Sequence, residues 1–323
     1  MTTAQNRPGA AIAFVLAGVF CISINDMLIK ELSGGYPLHQ LVFTRSAIGI
    51  VFSLILVQME GGWRILRTDH PWLHLCRGLM IVAANMLFFL ALATLPLADT
   101  TALFFAAPLF ITLLSIPMLG ERVGPMRMGA VLFGFAGVLL MQRPWAGSEE
   151  IGVARIVLLL PVLSALAYAF NQVLTRKLGV ASKASALAVY IQATFIVTAL
   201  GFFVVAGDGR FAAGSENPSV QFLLRAWIWP PQEDWRWLAI LGANSAVIGY
   251  ALSAAYRLAD AATVAPFEYV GLPLAVLWGF VVFGDLPVLV VWIGIAMILA
   301  SGLFVFFRAR AKVRVGPVAG RRR

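Results

Sequence analysis

Charge is scarce in this chain: Asp, Glu, Lys and Arg make up 12% of its 323 residues, against about a quarter in a soluble domain. So few charges cannot cover the surface of a protein this size, which excludes a soluble globular fold. Cysteine is scarcer still. Cys21 and Cys76 both lie inside apolar runs, which excludes a disulfide framework and a C-x-x-C metal site. His39, His70 and His74 show no ligand spacing with cysteine or carboxylate, so neither a metal nor any other cofactor is expected. The chain also lacks an H-E-x-x-H sequence, a Walker A sequence and a cysteine pair, the clusters an enzyme of those classes would need.

Apolar residues make up 61% of the chain and the mean hydropathy is +0.89. Runs of about 20 apolar residues, each able to cross a hydrocarbon layer roughly 30 Å thick as a helix, recur along nearly its whole length. Strands exposed to lipid would leave backbone groups unpaired, so the expectation is an all-α integral membrane protein. Ten spans are predicted, over 10–29, 37–58, 71–95, 98–118, 126–141, 154–175, 184–206, 235–256, 261–283 and 287–307. The first follows Arg7, contains Asp26 and has no A-x-A-like exit, so it is read as a retained span rather than a signal peptide.

The net charge is +9, but Arg308, Arg310, Lys312, Arg314, Arg321, Arg322 and Arg323 supply seven positive charges at the C-terminal end. A basic tail beside a last span is an orientation signal that touches anionic lipid, and nucleic acid is rejected as the main partner. With the N-terminus inside, 16 of the 24 basic residues fall on cytoplasmic segments and five outside. Both termini are therefore expected in the cytoplasm of a multi-pass protein of the bacterial inner membrane. Most connections are short, but 207–234 forms a long outward loop in which Trp227, Trp229, Trp235 and Trp237 read as interfacial anchors.

Two matches divide the chain into halves. Leu97-Ala98-Asp99 returns as Leu258-Ala259-Asp260, and Asn25-x-x-Leu28-x-Lys30-x-Leu32 returns as Asn171-x-x-Leu174-x-Arg176-x-Leu178. Five spans in each half make the second copy inverted relative to the first, an arrangement found in transporters. The repeats are placed at 10–141 and 154–307, with a basic cytoplasmic tail over 308–323.

Leu95-Pro96-Leu97-Ala98-Asp99, Pro108-Leu109-Phe110 and Leu119-Gly120-Glu121-Arg122-Val123 in the first half, with Ala265-Pro266-Phe267-Glu268-Tyr269, Leu272-Pro273 and Val282-Phe283-Gly284-Asp285-Leu286-Pro287 in the second, resemble the EamA family of the drug/metabolite transporter superfamily. Asp285 stands where that family usually has glutamate. The resemblance implies ten helices in two inverted five-helix repeats. It further implies a secondary carrier of a small organic solute, with a cavity between the halves open alternately to either side. Relatives include exporters of amino acids and uptake carriers for riboflavin or S-adenosylmethionine. The mixture of charge and aromatics favours a zwitterionic or ring-bearing solute such as an amino acid, and a passive channel is the competing class.

Ionisable side chains within spans cost at least about 2.5 kcal/mol on insertion scales and face a partner or a wet cavity. Helical rise places Asp26 and Arg45 at one depth and Arg77 and Glu268 at another. The expectation is an outer pair, Asp26 with Arg45, and an inner pair, Arg77 with Glu268, serving either as alternating gates or as permanent pins. Glu268 and Tyr269 lie between Pro266 and Pro273, where missing donors disfavour an unbroken helix. Depending on which landmarks are aligned, the first-half counterpart of Glu268 is Ala107 or Leu103. Asn85, Asn171, Asn244, Gln192 and Tyr250 are candidates for binding a solute or a neighbouring helix, and Phe104, Phe105 and Trp278 for a cavity wall. Lys30 and Arg176 are read as equivalent structural charges, and Asp99 and Asp260 as helix caps. Gly129, Gly134, Gly137 and Gly294 are read as packing residues that could form a homodimer face.

Overall fold

The computed structural model describes the backbone of residues 8–68, 71–120, 123–146, 154–178, 184–258, 264 and 267–314, and not the side chains of 8, 175–178, 184, 253, 256–257, 306 and 308–314. Among these residues there is no strand. The helices are α1 (Pro8–Leu32), α2 (Leu38–Glu60), α3 (Pro71–Leu92), α4 (Leu97–Phe104), α5 (Ala107–Leu119), α6 (Pro125–Gln142), α7 (Arg155–Leu178), α8 (Ala184–Ala206), α9 (Pro218–Leu224), α10 (Trp235–Leu258), α11 (Gly271–Phe283) and α12 (Leu289–Arg314). Several open on proline, whose missing donor is harmless in a first turn. After α5 and α11 the chain turns through Gly120 and Gly284, at φ 68° and 70°, a left-handed conformation that glycine adopts without a Cβ clash.

Among the described residues, seven helical segments are long and apolar enough to cross a membrane, and Gly271–Phe283 and Leu289–Val305 are shorter apolar helices. With the 24-residue α10, they fall where the ten spans are expected. Large apolar side chains point outward along them, including Ile55, Leu132, Leu139, Val197, Val204, Phe280, Val281 and Trp292. Such exposure is unfavourable in water and neutral in lipid, so the bundle is a multi-pass membrane protein.

The fourth expected span is not continuous. It breaks at Phe105–Ala106 between α4 and α5, and the chain turns in the same way at Tyr269–Val270 just before α11. The amide of Ala106 donates to the Leu103 carbonyl and that of Val270 to the Phe267 carbonyl, each at 3.2 Å, which tightens both turns. Pro108 and Pro273 lie just inside the resumed helices, where neither can donate back across the break.

Contacts between helices follow a pattern in which α1 packs along α10, α3 along α7, α2 along α8, α4 against α11 and α6 along α12. The last of these interfaces is built on glycine. A Cβ at Gly137 would come within 3.1 Å of the Gly294 carbonyl oxygen, and one at Gly294 within 3.0 Å of the Gly137 oxygen. Small residues let the two backbones touch, which is how helices associate where lipid removes the hydrophobic drive. Gly134, Gly137 and Gly294 thus pack α6 against α12 within the chain. Nothing lies within 4 Å of a Cβ added at Gly129.

The end of the bundle at which α1 finishes and α2 begins is covered by 207–234 and is called the loop end below. This segment is more ordered than its reading as a loop implies. Asn217 caps α9 by accepting from the amides of Ser219 at 2.9 Å and Val220 at 3.4 Å. Gln40 clamps Ile228 in both directions, donating to its carbonyl at 2.6 Å and accepting from its amide at 3.2 Å. Trp227 packs on Phe203, Phe43 and His39 with centroids 4.5, 5.3 and 5.8 Å away. It is therefore a packing residue, whereas Trp229 stays 85% exposed.

Candidate functional site

The two helix interruptions meet. The ring of Phe105 stacks on that of Tyr269, 5.2 Å between centroids at 28°, and Gly302 on α12 leaves room for the Tyr269 hydroxyl. Phe104 packs against Tyr168 of α7 at 5.4 Å, and the Tyr168 hydroxyl accepts from Gln172 Nε2 at 2.7 Å. Glu268 lies close enough to both phenols, Tyr168 and Tyr269, to act on them electrostatically. The centre thus combines one carboxylate, one carboxamide, two phenols and two phenyl rings. Rings supply flat faces for a planar solute, and the polar groups supply direction.

The matched turns and the matched C-terminal glycines, Gly120 and Gly284, share one register. In that register the counterpart of Tyr269 is Phe105 and that of Glu268 is Phe104. This corrects the expected counterparts Ala107 and Leu103. Sequence landmarks drift because Pro108 and Pro273 sit at different positions after their turns.

The expected outer charge pair is indirect. Arg45 is 7% exposed and forms no ion pair among the described residues. Its Nη1 and Nη2 donate at 3.5 Å to the side-chain oxygens of Asn25 and Asn85. Asn25 Nδ2 in turn donates to Asp26 Oδ1 at 3.2 Å. Asp26 and Arg45 are near enough to attract each other through this bridge. The guanidinium also lies over Phe195 and Phe89, 5.0 and 5.2 Å from their centroids.

The expected inner pair of Arg77 with Glu268 is not formed. Arg77 lines a cavity with room for about one water molecule, together with His74, Asn171 and Tyr190, and its Nε is buried without a hydrogen-bond partner. The reason lies in helix packing: Arg77 faces the α7 and α8 side of α3, while Glu268 sits at the interruption before α11.

Lys30 donates to the carbonyls of Leu92 at 3.2 Å and Leu95 at 2.7 Å at the end of α3. Asp99 sits in the first turn of α4 but makes no capping hydrogen bond, and its Oδ1 is buried without a partner. Its neighbours in charge are Arg143, Asp285 and Lys30, so it meets the helix dipole without capping donors. Asp260 and the side chain of Arg176 lie outside the described residues. Gln192 bonds Ser245 at 3.0 Å and Asn244 reaches the Cys21 carbonyl at 3.5 Å, while Tyr250 is 48% exposed. These are helix-to-helix or outward positions. Trp278 donates to Ser23 at 3.0 Å.

Sequence reasoning missed Tyr168, Gln172, Asn25, Phe89 and Phe195. Tyr168 and Gln172 are four apart on α7 and so share a face, a signal that was present but without a visible partner.

The EamA-like transporter family model matches residues 9–143. A riboflavin transporter of Rhizobium johnstonii is 33% identical over 296 residues, covering 92% of this chain and 88% of that protein. An S-adenosylmethionine uptake transporter of Rickettsia prowazekii is 24% identical, covering 92% of each. A solved crystal structure, 20% identical, superposes with a TM-score of 0.63 over 94% of this chain and 99% of that one, a likeness of fold alone. At 33% identity over nearly its whole length to one such transporter, the chain belongs to the EamA-like transporter family, and it is a small-molecule membrane transporter rather than an enzyme.

Proposed function

We propose that this transporter carries a planar, ring-bearing metabolite between the helix interruptions, and that riboflavin is the first solute to test. The observation that carries this reading is the stack of Phe105 on Tyr269, with Phe104, Tyr168 and Glu268 around it. Turns that meet at mid-chain positions of two helices leave backbone carbonyls available to a solute, as at the broken helices of other carriers. Two repeats, 10–141 and 154–307, would rock about this point by alternating access, with the basic tail 308–323 and both termini on the cytoplasmic side of the inner membrane. The match of a riboflavin transporter supports the flavin, and aromatic faces suit it better than they suit the amino acid expected from composition.

A second reading, S-adenosylmethionine, is favoured by one feature: the Glu268 carboxylate beside aromatic faces suits a cationic solute. Purified protein in proteoliposomes separates the two. Saturable riboflavin entry that unlabelled riboflavin accelerates from the opposite side supports the flavin carrier. Saturable entry of S-adenosylmethionine alone supports the second reading, and non-saturating conductance supports a channel.

A further inference from the structure

We propose that Arg45 recognises the hydrogen-bond acceptor edge of the planar solute, with Phe89 and Phe195 flanking the ring and Asn25 and Asn85 setting its orientation; this rests on the reading of the protein as a carrier of ring-bearing metabolites. A guanidinium has five donors in a fixed fork. In Arg45, Nε is buried without a partner, and Nη1 and Nη2 make hydrogen bonds of 3.5 Å, long and therefore weak. Leaving a buried charge so poorly satisfied is costly.

A permanent pin would place a carboxylate against the fork. Here the nearest carboxylate, Asp26, is held by the Asn25 amide, and the fork opens between two carboxamide oxygens. A flat heteroaromatic ring presents parallel carbonyl or ring-nitrogen acceptors at the spacing the fork matches. The two phenyl rings already lie within stacking reach of the guanidinium plane, and a solute ring would share those faces.

Position supports the same assignment. Asn25, Arg45 and Asn85 each stand seven residues from the loop end of their helix, counted from Leu32, Leu38 and Leu92, so all three lie about 10 Å deep. They come from α1, α2 and α3, and Phe195 from α8, so a solute held there is gripped by both halves. Ring contacts run on without a gap from this cluster to the helix interruptions. Arg45 covers Phe89, Phe89 meets Phe88 at 5.6 Å, Phe88 meets Phe104 at 5.4 Å, and Phe104 meets Tyr168. These edge-to-face and tilted contacts link the Arg45 cluster to the helix interruptions through the core.

The experiment measures binding of riboflavin, S-adenosylmethionine and phenazine to purified protein in lipid nanodiscs, for the wild type, Arg45→Lys and Arg45→Gln. Phenazine has three fused rings, but its two ring nitrogens lie on opposite edges, so it offers the fork no parallel pair of acceptors. Arg45→Lys keeps the charge and loses the fork, and melting temperature confirms its fold. The expected result is at least tenfold weaker binding of riboflavin or S-adenosylmethionine by Arg45→Lys, with phenazine binding changed less than twofold. Binding of either metabolite by the wild type that Arg45→Lys retains within twofold overturns the assignment alone, as does an equal loss for phenazine. Wild-type protein that binds neither metabolite overturns the functional reading and this assignment together.

Discussion

Phe105 and Tyr269, 164 positions apart in the chain, stack face to face at the two points where the bundle's helices are interrupted. Aromatic pairs of this kind contribute about 0.5–1.5 kcal/mol beyond the area they bury. Each ring holds the other turn in place, so the pair joins the halves as well as facing the proposed solute. Tyr269→Phe keeps the stack and is expected to transport at near wild-type rate. Tyr269→Ala and Phe105→Ala are expected to lose at least tenfold in saturable uptake, read in proteoliposomes at matched protein density. Equal activity of all three would remove the stack from the transport path.

Glu268→Gln preserves the shape of the side chain and removes its charge. Because this carboxylate acts electrostatically on Tyr168 and Tyr269, the expected outcome is a loss of transport of at least tenfold with a melting temperature close to wild type. Normal uptake by Glu268→Gln would show that the carboxylate only packs.

At the loop end, the Tyr36 hydroxyl donates to Asp234 Oδ2 at 2.5 Å, His39 Nδ1 meets the Leu223 carbonyl at 3.0 Å, and Arg225 reaches the carbonyl of Gly34. This strap must shift if solute enters from that side. In protein with Cys21 and Cys76 replaced, a bifunctional reagent joining Tyr36→Cys to Asp234→Cys is expected to abolish uptake, and reductive cleavage of the linker to restore it. Uptake that continues through the cross-link would place entry elsewhere.

Burial, and then the Asp234 carboxylate that accepts its hydrogen bond, push the Tyr36 phenol above its ordinary value. A raised value in the folded state means the latch contributes its full stability below about pH 10, the unfolded value, and loses it as pH rises further. Melting temperature should therefore fall more steeply above that pH in the wild type than in Tyr36→Phe. Parallel curves would show that the latch contributes nothing.

Gly137→Leu fills space that the Gly294 carbonyl and the Met297 side chain occupy at 3.1 and 2.8 Å from the added Cβ. Overpacking of this kind costs about 1–3 kcal/mol or more. The expected result is a lower melting temperature with no change in oligomeric mass by light scattering. A stable variant with halved mass would instead place a dimer face on this stripe.

The depth of Arg45, Asp26 and Asn85 could be read by counting residues, because helical rise is uniform. Their partners could not, because rotation about each helix axis and the choice of neighbouring helix are invisible in one dimension. The expected Asp26–Arg45 pair therefore became a relay through Asn25, and the expected Arg77–Glu268 pair two separate places. Phe195 carried no sequence signal that would single it out among the chain's 23 Phe, and the shared face of Tyr168 and Gln172 showed no partner until the helices were packed.

Composition alone determined that this protein lives in lipid and is helical, because apolar surface and unpaired backbone groups have no other stable arrangement there. Local motifs carried the family resemblance and marked the stretch from Pro266 through Glu268 to Pro273 as a break in regularity. Tertiary structure decided that the two breaks touch, that Glu268 answers to Phe104, and that Arg45 is left with donors to spare. Those outcomes depend on which helix faces meet, and close packing between helices far apart in the chain sets that.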